Sequence, residues 1–180
     1  MGEETVLQNT IREAVLSDVE AIAQVHVASW QSTYPGILPD EVIENRSLEQ
    51  RVQYWQETLE TLPEDRYVMV CEYDRDIAGF AWGGPERGRH PDYEGEIYAI
   101  YLVEEAQGLG HGQQLVQAMV RKLLEAGIST MLIWVAKEND SRYFYEAIGG
   151  VAVAKDTIKI TGAAIEEIGY GWDDIRILLE

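Results

Sequence analysis

Residues 96–135 constrain the fold most, because they read as a strand, a glycine-containing loop, a helix and a second strand. The apolar strand EIYAIYLV leads into a loop with Gly108, Gly110 and Gly112, and the helix that follows has apolar residues at helical intervals. Such a crossover usually makes two parallel strands that are connected in the right-handed sense. Hairpins are predicted on either side of this unit, so the sheet is expected to be mixed.

The rest of the chain predicts further strands and helices of a single domain, residues 1–180. This length suits one compact α/β domain with a substantial core. Ser17 is followed by Glu20 at the spacing of a capping box, which predicts where the first helix begins. We expect a mixed, mostly antiparallel sheet that is flanked by helices, with a parallel strand pair around the glycine-loop crossover.

The glycine loop lies where the first turn of a helix leaves backbone N–H groups without partners inside the helix. With the positive end of the helix dipole, these groups form a site for phosphate or pyrophosphate, and glycine lets an anion approach the backbone. Glycines also fill turns for purely structural reasons, so both interpretations remain open at this point. Two common phosphate motifs are absent, since there is no GxxxxGK[ST] and Gln113 and Leu115 stand where GxGxxG needs glycine.

The composition argues against several classes of partner. The formal net charge is -18 at pH 7, whereas nucleic-acid binding takes clustered lysine and arginine. No apolar run approaches the roughly 20 residues of a membrane span, and the N-terminal residues do not resemble a signal peptide. Cys71 is the only cysteine, so an internal disulfide is excluded. We expect a cytoplasmic protein without nucleic-acid or membrane partners, and the acidic charge alone favours a cationic substrate.

The loop carries the pattern Q-x-x-G-x-G at residues 107–112, and NDSRYFYEAIGG follows the next strand at residues 139–150. Glu96 precedes the glutamine by eleven residues. In these segments, and in SWQSTYPGILPDE near the N-terminus, the chain resembles the GNAT superfamily of acetyl-CoA-dependent N-acetyltransferases over nearly its whole length. Two departures are Gln107 where arginine is common, which removes a positive charge from the pyrophosphate site, and Gly150 where an aromatic residue is frequent.

The resemblance implies acetyl-CoA as co-substrate and no metal. It places the pyrophosphate on the glycine loop, and the pantetheine arm and acetyl carbonyl on backbone N–H groups of the preceding strand, as in an oxyanion hole. Asn139 is expected to bind the pantetheine or to position the neighbouring helix, and His111 to offer its backbone N–H with a solvated imidazole. The implied cofactor-binding residues are Ile100, Tyr101, Leu102, Gln107, Gly108, Leu109, Gly110, His111, Gly112, Gln113, Asn139 and Tyr145.

The resemblance also implies two catalytic residues. An amine must be neutral to attack a thioester, although a free alkyl amine has a pKa near about 10. Glu96 is implied as the base, directly or through a water, and Tyr145 as the acid that protonates the leaving thiolate. The structural alternatives are an exposed strand-edge glutamate and a buried aromatic. Trp30, Tyr34 and Trp82 are candidates for the acceptor pocket, with core packing as their alternative.

The sequence thus predicts an enzyme that moves acetyl from acetyl-CoA to a primary amine by direct attack within a ternary complex. No cysteine or serine is placed to argue for an acyl-enzyme intermediate. Two other functions remain open, namely a module that binds or senses acyl-CoA without turnover and an interaction domain whose glycine loop is only a turn. The acceptor is a small-molecule or peptide amine that the sequence does not identify. The final hairpin and the C-terminal IRILLE are compatible with a homodimer.

Overall fold

A computed structural model describes residues 9–180, which form a seven-stranded sheet in the order β1-β2-β3-β4-β5-β7-β6. The strands are β1 (Asn9–Glu13), β2 (Tyr67–Tyr73), β3 (Asp76–Pro85), β4 (Gly95–Leu102), β5 (Met131–Ala136), β6 (Val151–Ile160) and β7 (Ala163–Trp172). The helices are α1 (Val19–Thr33), α2 (Asp40–Glu44), α3 (Leu48–Glu60), α4 (His111–Glu125) and α5 (Ser141–Ala147). Short 3₁₀ turns occupy Leu16–Asp18, Glu104–Ala106 and Ile175–Leu179.

The mixed sheet with one parallel pair at the crossover is confirmed. Neighbouring strands run antiparallel, except for β4 and β5. These two are joined only from Gly95–Met131 to Ile97–Ile133, and beyond this point they separate. In the described part of the chain, the backbone groups of residues 98–102 on that edge therefore have no neighbouring strand, which leaves a gap in the sheet.

A β-bulge changes which side chains of β4 face each side of the sheet. The register with β3 shifts between Trp82 and Gly83. As a result, Ile97 and Ile100 both pack in the core under α4, although residues three apart in a regular strand face opposite sides. Ala99 and Tyr101 pack on the other face. The bulge thus sets which side chains of β4 pack under α4 and which pack on the opposite face of the sheet.

The two faces of the sheet are covered by different helices. On one face, α4 buries Leu115, Met119 and Leu123, each fully enclosed, in the largest apolar cluster. On the other face, α1 and α3 pack around Trp55 and Phe80. Burial of a large apolar side chain contributes about 1.5–3 kcal/mol, so both layers stabilise the sheet substantially. Within residues 9–180, no helix is both long and apolar enough to cross a membrane.

The first helix begins later than the capping-box prediction placed it. Ser17 lies inside a 3₁₀ turn, and α1 starts at Val19. The carboxylate of Asp18 accepts hydrogen bonds from Arg12 at 2.7 and 2.9 Å and from the backbone N–H of Val15 at 2.8 Å. The prediction of Ser17 as the cap is wrong, because the charged carboxylate next to it binds the free backbone N–H instead.

Candidate active site

A cavity of about 890 Å³ opens where β4 and β5 separate. Its walls come from the loop after α1, the end of β4, the glycine loop and the start of α5. The predicted cofactor-binding residues that line it are Ile100, Leu102, Gln107, Gly108, Gly110, Gly112, Gln113, Asn139 and Tyr145. The side chains of Tyr101, Leu109 and His111 do not line it.

The glycine loop presents free backbone donors to this cavity. Gly108 and Gly110 have φ values of 73° and 85°, in the left-handed region that favours glycine, and a Cβ on either would meet no atom within 4 Å. The first hydrogen bond of α4 runs from the N–H of Gln114 to the carbonyl of Gly110 at 3.1 Å. The N–H groups of residues 111–113 therefore lie before the hydrogen-bonded part of the helix, where an anion can bind.

The imidazole of His111 is buried, at 4% exposure, so the expectation of a solvated ring is wrong. Its Nδ1 lies 2.6 Å from the amide nitrogen of Asn9, and its ring lies 4.9 Å from that of Tyr73. The first residue of α4 turns its side chain toward β1 and β2, which enclose it. Its backbone N–H remains the group that is predicted to bind the donor.

Tyr145 lies near the end of α5, with its side chain 5% exposed and its surface on the cavity. Burial raises the pKa of its phenol, and the neighbouring Tyr101 raises it further. The hydroxyl is therefore protonated at neutral pH, which is the state that a general acid requires. Asn139 accepts a hydrogen bond from the backbone N–H of Ser141 at 2.9 Å, so it holds the start of α5.

Glu96 is completely buried, so the alternative of an exposed strand-edge carboxylate is wrong. Arg87 surrounds its carboxylate, donating from Nη2 at 2.7 Å, from the backbone N–H at 3.1 Å and from Nε at 3.2 Å. Glu96 does not line the cavity. The Glu96 carboxylate is therefore not placed to contact an amine in that cavity directly. Its role as a base stays a prediction.

Trp30, Tyr34 and Trp82 form part of an aromatic group between α1, α3 and β4. The rings of Trp30 and Tyr34 lie 4.6 Å apart, and the hydroxyl of Tyr34 lies 3.2 Å from that of Tyr101. Burial raises the pKa of both tyrosines. Trp82 packs against Trp55 with ring centres 5.6 Å apart. These residues do not line the large cavity and lie beside it, on the far side of β4.

Two arginines that no sequence motif indicates lie against aromatic rings in this region. The guanidinium carbon of Arg46 lies 3.6 Å from the centre of the Trp30 ring, and that of Arg51 lies 4.9 Å from the Tyr54 ring. Their sequence signal is weak, because it consists only of two cations five positions apart in a chain with 14 basic and 32 acidic residues. The contact of Arg46 with Trp30 joins the segment after α2 to α1, whereas Arg51 and Tyr54 are three residues apart on α3.

Comparison with known proteins identifies the family. Residues 87–158 match the model of FR47-like proteins. The uncharacterized N-acetyltransferase YuaI of Bacillus subtilis (strain 168) is 37% identical over 170 residues, which cover 94% of this chain and 95% of that protein. Phosphinothricin N-acetyltransferase of Streptomyces viridochromogenes is 27% identical over 168 residues, 92% of this chain and 83% of that protein.

The fold agrees with these relatives. The crystal structure of PaiA N-acetyltransferase from Thermoplasma acidophilum, in complex with coenzyme A, is similar with a TM-score of 0.69 at 22% identity. The match covers 89% of this chain and 98% of that one. Because YuaI is similar over almost the full length of both proteins and the fold is the same, the chain belongs to the GNAT superfamily of acetyl-CoA-dependent N-acetyltransferases.

Proposed function

We propose that this enzyme transfers acetyl from acetyl-CoA to a primary amine of a small-molecule acceptor, by direct attack within a ternary complex. The observation that carries this proposal is the single cavity that extends from the free N–H groups of α4 to the buried hydroxyl of Tyr145. The name of phosphinothricin N-acetyltransferase, a relative over most of this chain, supports a small molecule as acceptor.

In the proposal, the donor binds mainly to backbone groups. The N–H groups of residues 111–113 bind the pyrophosphate, and the open glycine positions before them leave room for it. The unpaired edge of β4 over residues 98–102 binds the pantetheine arm and polarises the acetyl carbonyl. Neither role needs a cationic side chain. The cavity also has no lysine or arginine among its described lining residues.

The chemical step forms a C–N bond and breaks a C–S bond. The lone pair of the neutral amine attacks the acetyl carbonyl carbon, and the tetrahedral intermediate collapses with the electron pair of the C–S bond leaving on sulfur. Tyr145 donates its proton to this thiolate, and the amine nitrogen loses one proton to a base. Glu96 is the proposed base, acting through water, and its ion pair with Arg87 at 2.7 Å holds the carboxylate in place.

Thiol release from acetyl-CoA, measured with a panel of primary amines and followed by mass spectrometry, tests this function. We expect free coenzyme A and an N-acetylated amine to appear in equal amounts. Calorimetric binding of acetyl-CoA without any acetylated amine would instead support a module that binds acyl-CoA without turnover. Absence of binding would contradict the proposal altogether and favour an interaction domain.

A further inference from the structure

The acceptor side of β4 carries a positive charge that contrasts with the rest of the molecule. The chain has a formal net charge of -18, yet the pKa of Tyr54, which burial raises, is lowered in part by the charges of Arg51, Arg87 and Arg46. Within residues 9–180, Arg87 is paired with Glu96, whereas neither Arg46 nor Arg51 forms an ion pair with a carboxylate. Two cations are thus left uncompensated at one place in an acidic protein.

Both of these arginines are partly removed from water. The guanidinium carbon of Arg46 lies over the buried ring of Trp30, 3.6 Å from its centre, and desolvation and the charge of Arg51 together lower the pKa of Arg46. The Nε of Arg51 is buried and has no hydrogen-bond partner among the described residues. Two desolvated cations that repel each other and leave a donor unused destabilise the fold, and a bound anion would offset that cost.

The surroundings of the pair offer no internal compensation. His26 lies on the same face and is kept neutral, because burial and the charges of Arg51 and Arg46 lower its pKa to about 3. The indole Nε1 of Trp82 is also buried without an acceptor in the described part of the chain. The region thus has unused donors and positive charge, and no carboxylate of residues 9–180 forms an ion pair with either arginine. Stacking on aromatic rings accounts for the orientation of the guanidinium groups but not for this deficit.

A chain of contacts connects the arginine pair to the site of acetyl transfer. Arg46 contacts Trp30, whose ring lies 4.6 Å from that of Tyr34. The hydroxyl of Tyr34 lies 3.2 Å from that of Tyr101, which in turn raises the pKa of Tyr145. These contacts place Arg46 on the side of β4 away from α4, next to the aromatic group that borders the cavity.

We propose that Arg46 and Arg51 bind an oxyanion of the acceptor, so that the substrate is an amine that also carries a carboxylate or a similar acidic group. This inference rests on the proposed acetyltransferase function and names the substrate class of that site. A guanidinium fork matches a carboxylate or a phosphonate in geometry and charge. The local field thus reverses the preference for a cationic substrate that the overall charge suggests.

Matched substrates provide the test. Thiol release is measured with L-amino acids, with the corresponding amino acid amides and with aminoalkyl phosphonates. The amides keep the amine and the side chain but lose the negative charge. We expect kcat/KM for the best acid to exceed that of its amide by about 10- to 100-fold, the range for loss of hydrogen bonds to a charged group. Comparison of the carboxylate and phosphonate series identifies the kind of oxyanion.

Substitution of the two arginines tests whether they cause the preference for acids over amides. In Arg46→Gln and Arg51→Gln, we expect kcat/KM for the acid to fall until it is close to kcat/KM for the amide. The affinity for acetyl-CoA is expected to be unchanged. Arg176→Gln is the matched control, because Arg176 is exposed in the C-terminal turn and pairs with Asp174. If a glutamine variant fails to fold, Arg46→Lys and Arg51→Lys keep the charge and test the fork geometry.

The outcomes separate this inference from the function on which it rests. Turnover with equal kcat/KM for acids and amides would overturn the anion site and leave the acetyltransferase intact. If no amine is acetylated, the proposed function fails, and calorimetric titration of the same acids and amides in the presence of coenzyme A still tests the arginine pair. Equal binding of acids and amides, or binding of neither, would overturn it.

Discussion

The donor and acceptor sides of β4 handle charge in opposite ways. The cavity proposed for the donor is lined by Glu104, Glu138 and Asp140 and by no described lysine or arginine, so in this proposal the anion is bound by peptide N–H groups and a helix dipole. The acceptor side instead carries Arg46 and Arg51, which have no ion pair within residues 9–180. Backbone N–H groups can bind an anion in a protein of almost any net charge. A site made of side chains instead needs charged residues of the right sign close to the ligand.

The largest expected effect concerns Tyr145, the proposed general acid. Tyr145→Phe removes the hydroxyl and keeps the buried ring, so we expect kcat to fall about 100-fold or more while acetyl-CoA affinity changes less than about twofold. Tyr143→Phe is the control, because Tyr143 is exposed on the same helix and its hydroxyl bonds only Arg142 among the described residues. Stopped-flow thiol release and calorimetry measure the two quantities. Equal turnover in wild type and Tyr145→Phe would remove Tyr145 as the acid.

A smaller effect is expected from a charge placed in the donor site. Gly110→Asp adds a carboxylate at the start of α4, and we expect acetyl-CoA affinity to fall about 10- to 100-fold. Gly88→Asp makes the same change at a glycine with nearly the same φ of 83° and equally open space, outside the cavity. Gly110→Asn keeps the shape without the charge. If calorimetry shows equal losses for Gly110→Asp and Gly88→Asp, the helix N-terminus is not the pyrophosphate site.

The next variants distinguish a catalytic role of Glu96 from a purely structural one. Glu96→Gln is expected to lower kcat about tenfold at pH 7, with recovery at high pH as more of the amine is neutral without a base. Arg87→Lys keeps both the carboxylate and a positive charge beside it but loses the paired guanidinium hydrogen bonds, so it should cost stability without that loss of turnover. Unfolding in urea and a pH–rate profile measure both effects. Similar turnover in the two variants would assign Glu96 to the fold alone.

The smallest expected effect is on stability at the acceptor side. Burial, with the charges of Arg51 and Arg46, lowers the pKa of His26 to about 3, and its Nδ1 accepts a hydrogen bond from Trp55 Nε1 at 3.1 Å. The unfolded imidazole binds a proton near pH 6.5, so acidification from pH 7 to 5 favours the unfolded state. We expect a loss of up to about 1.4 kcal/mol per pH unit in the free energy of unfolding. The free energy of unfolding of His26→Asn should depend less steeply on pH. Identical slopes for the variant and the wild type would show that His26 is not the group responsible.

The glycine loop and the strand crossover could be predicted from sequence because their parts are local. The spacing of Gly108, Gly110 and Gly112 before a helical pattern describes one loop and one helix, and the parallel pairing of β4 with β5 follows from the same crossover. The start of α1 could not be predicted in the same way. Arg12 and Asp18 meet through strand pairing, and their contact moves the cap away from Ser17.

The acceptor side depends on contacts between distant segments. Arg46 and Trp30 are separated by α2, and Glu96 meets Arg87 through the loop between β3 and β4. The sequence contains these residues but does not indicate that they pair, so it leaves open an exposed glutamate at position 96, which is fully buried in the structure. Burial of charge is a property of the assembled layers, and local sequence patterns do not report it.

A crystal structure of this protein with coenzyme A tests the central claim most directly. The account predicts pyrophosphate oxygens within about 3 Å of the backbone nitrogens of residues 111–113. It also predicts the sulfur in the gap between β4 and β5, next to the hydroxyl of Tyr145. A pyrophosphate bound away from the start of α4, or a sulfur that lies outside that gap, would contradict the account.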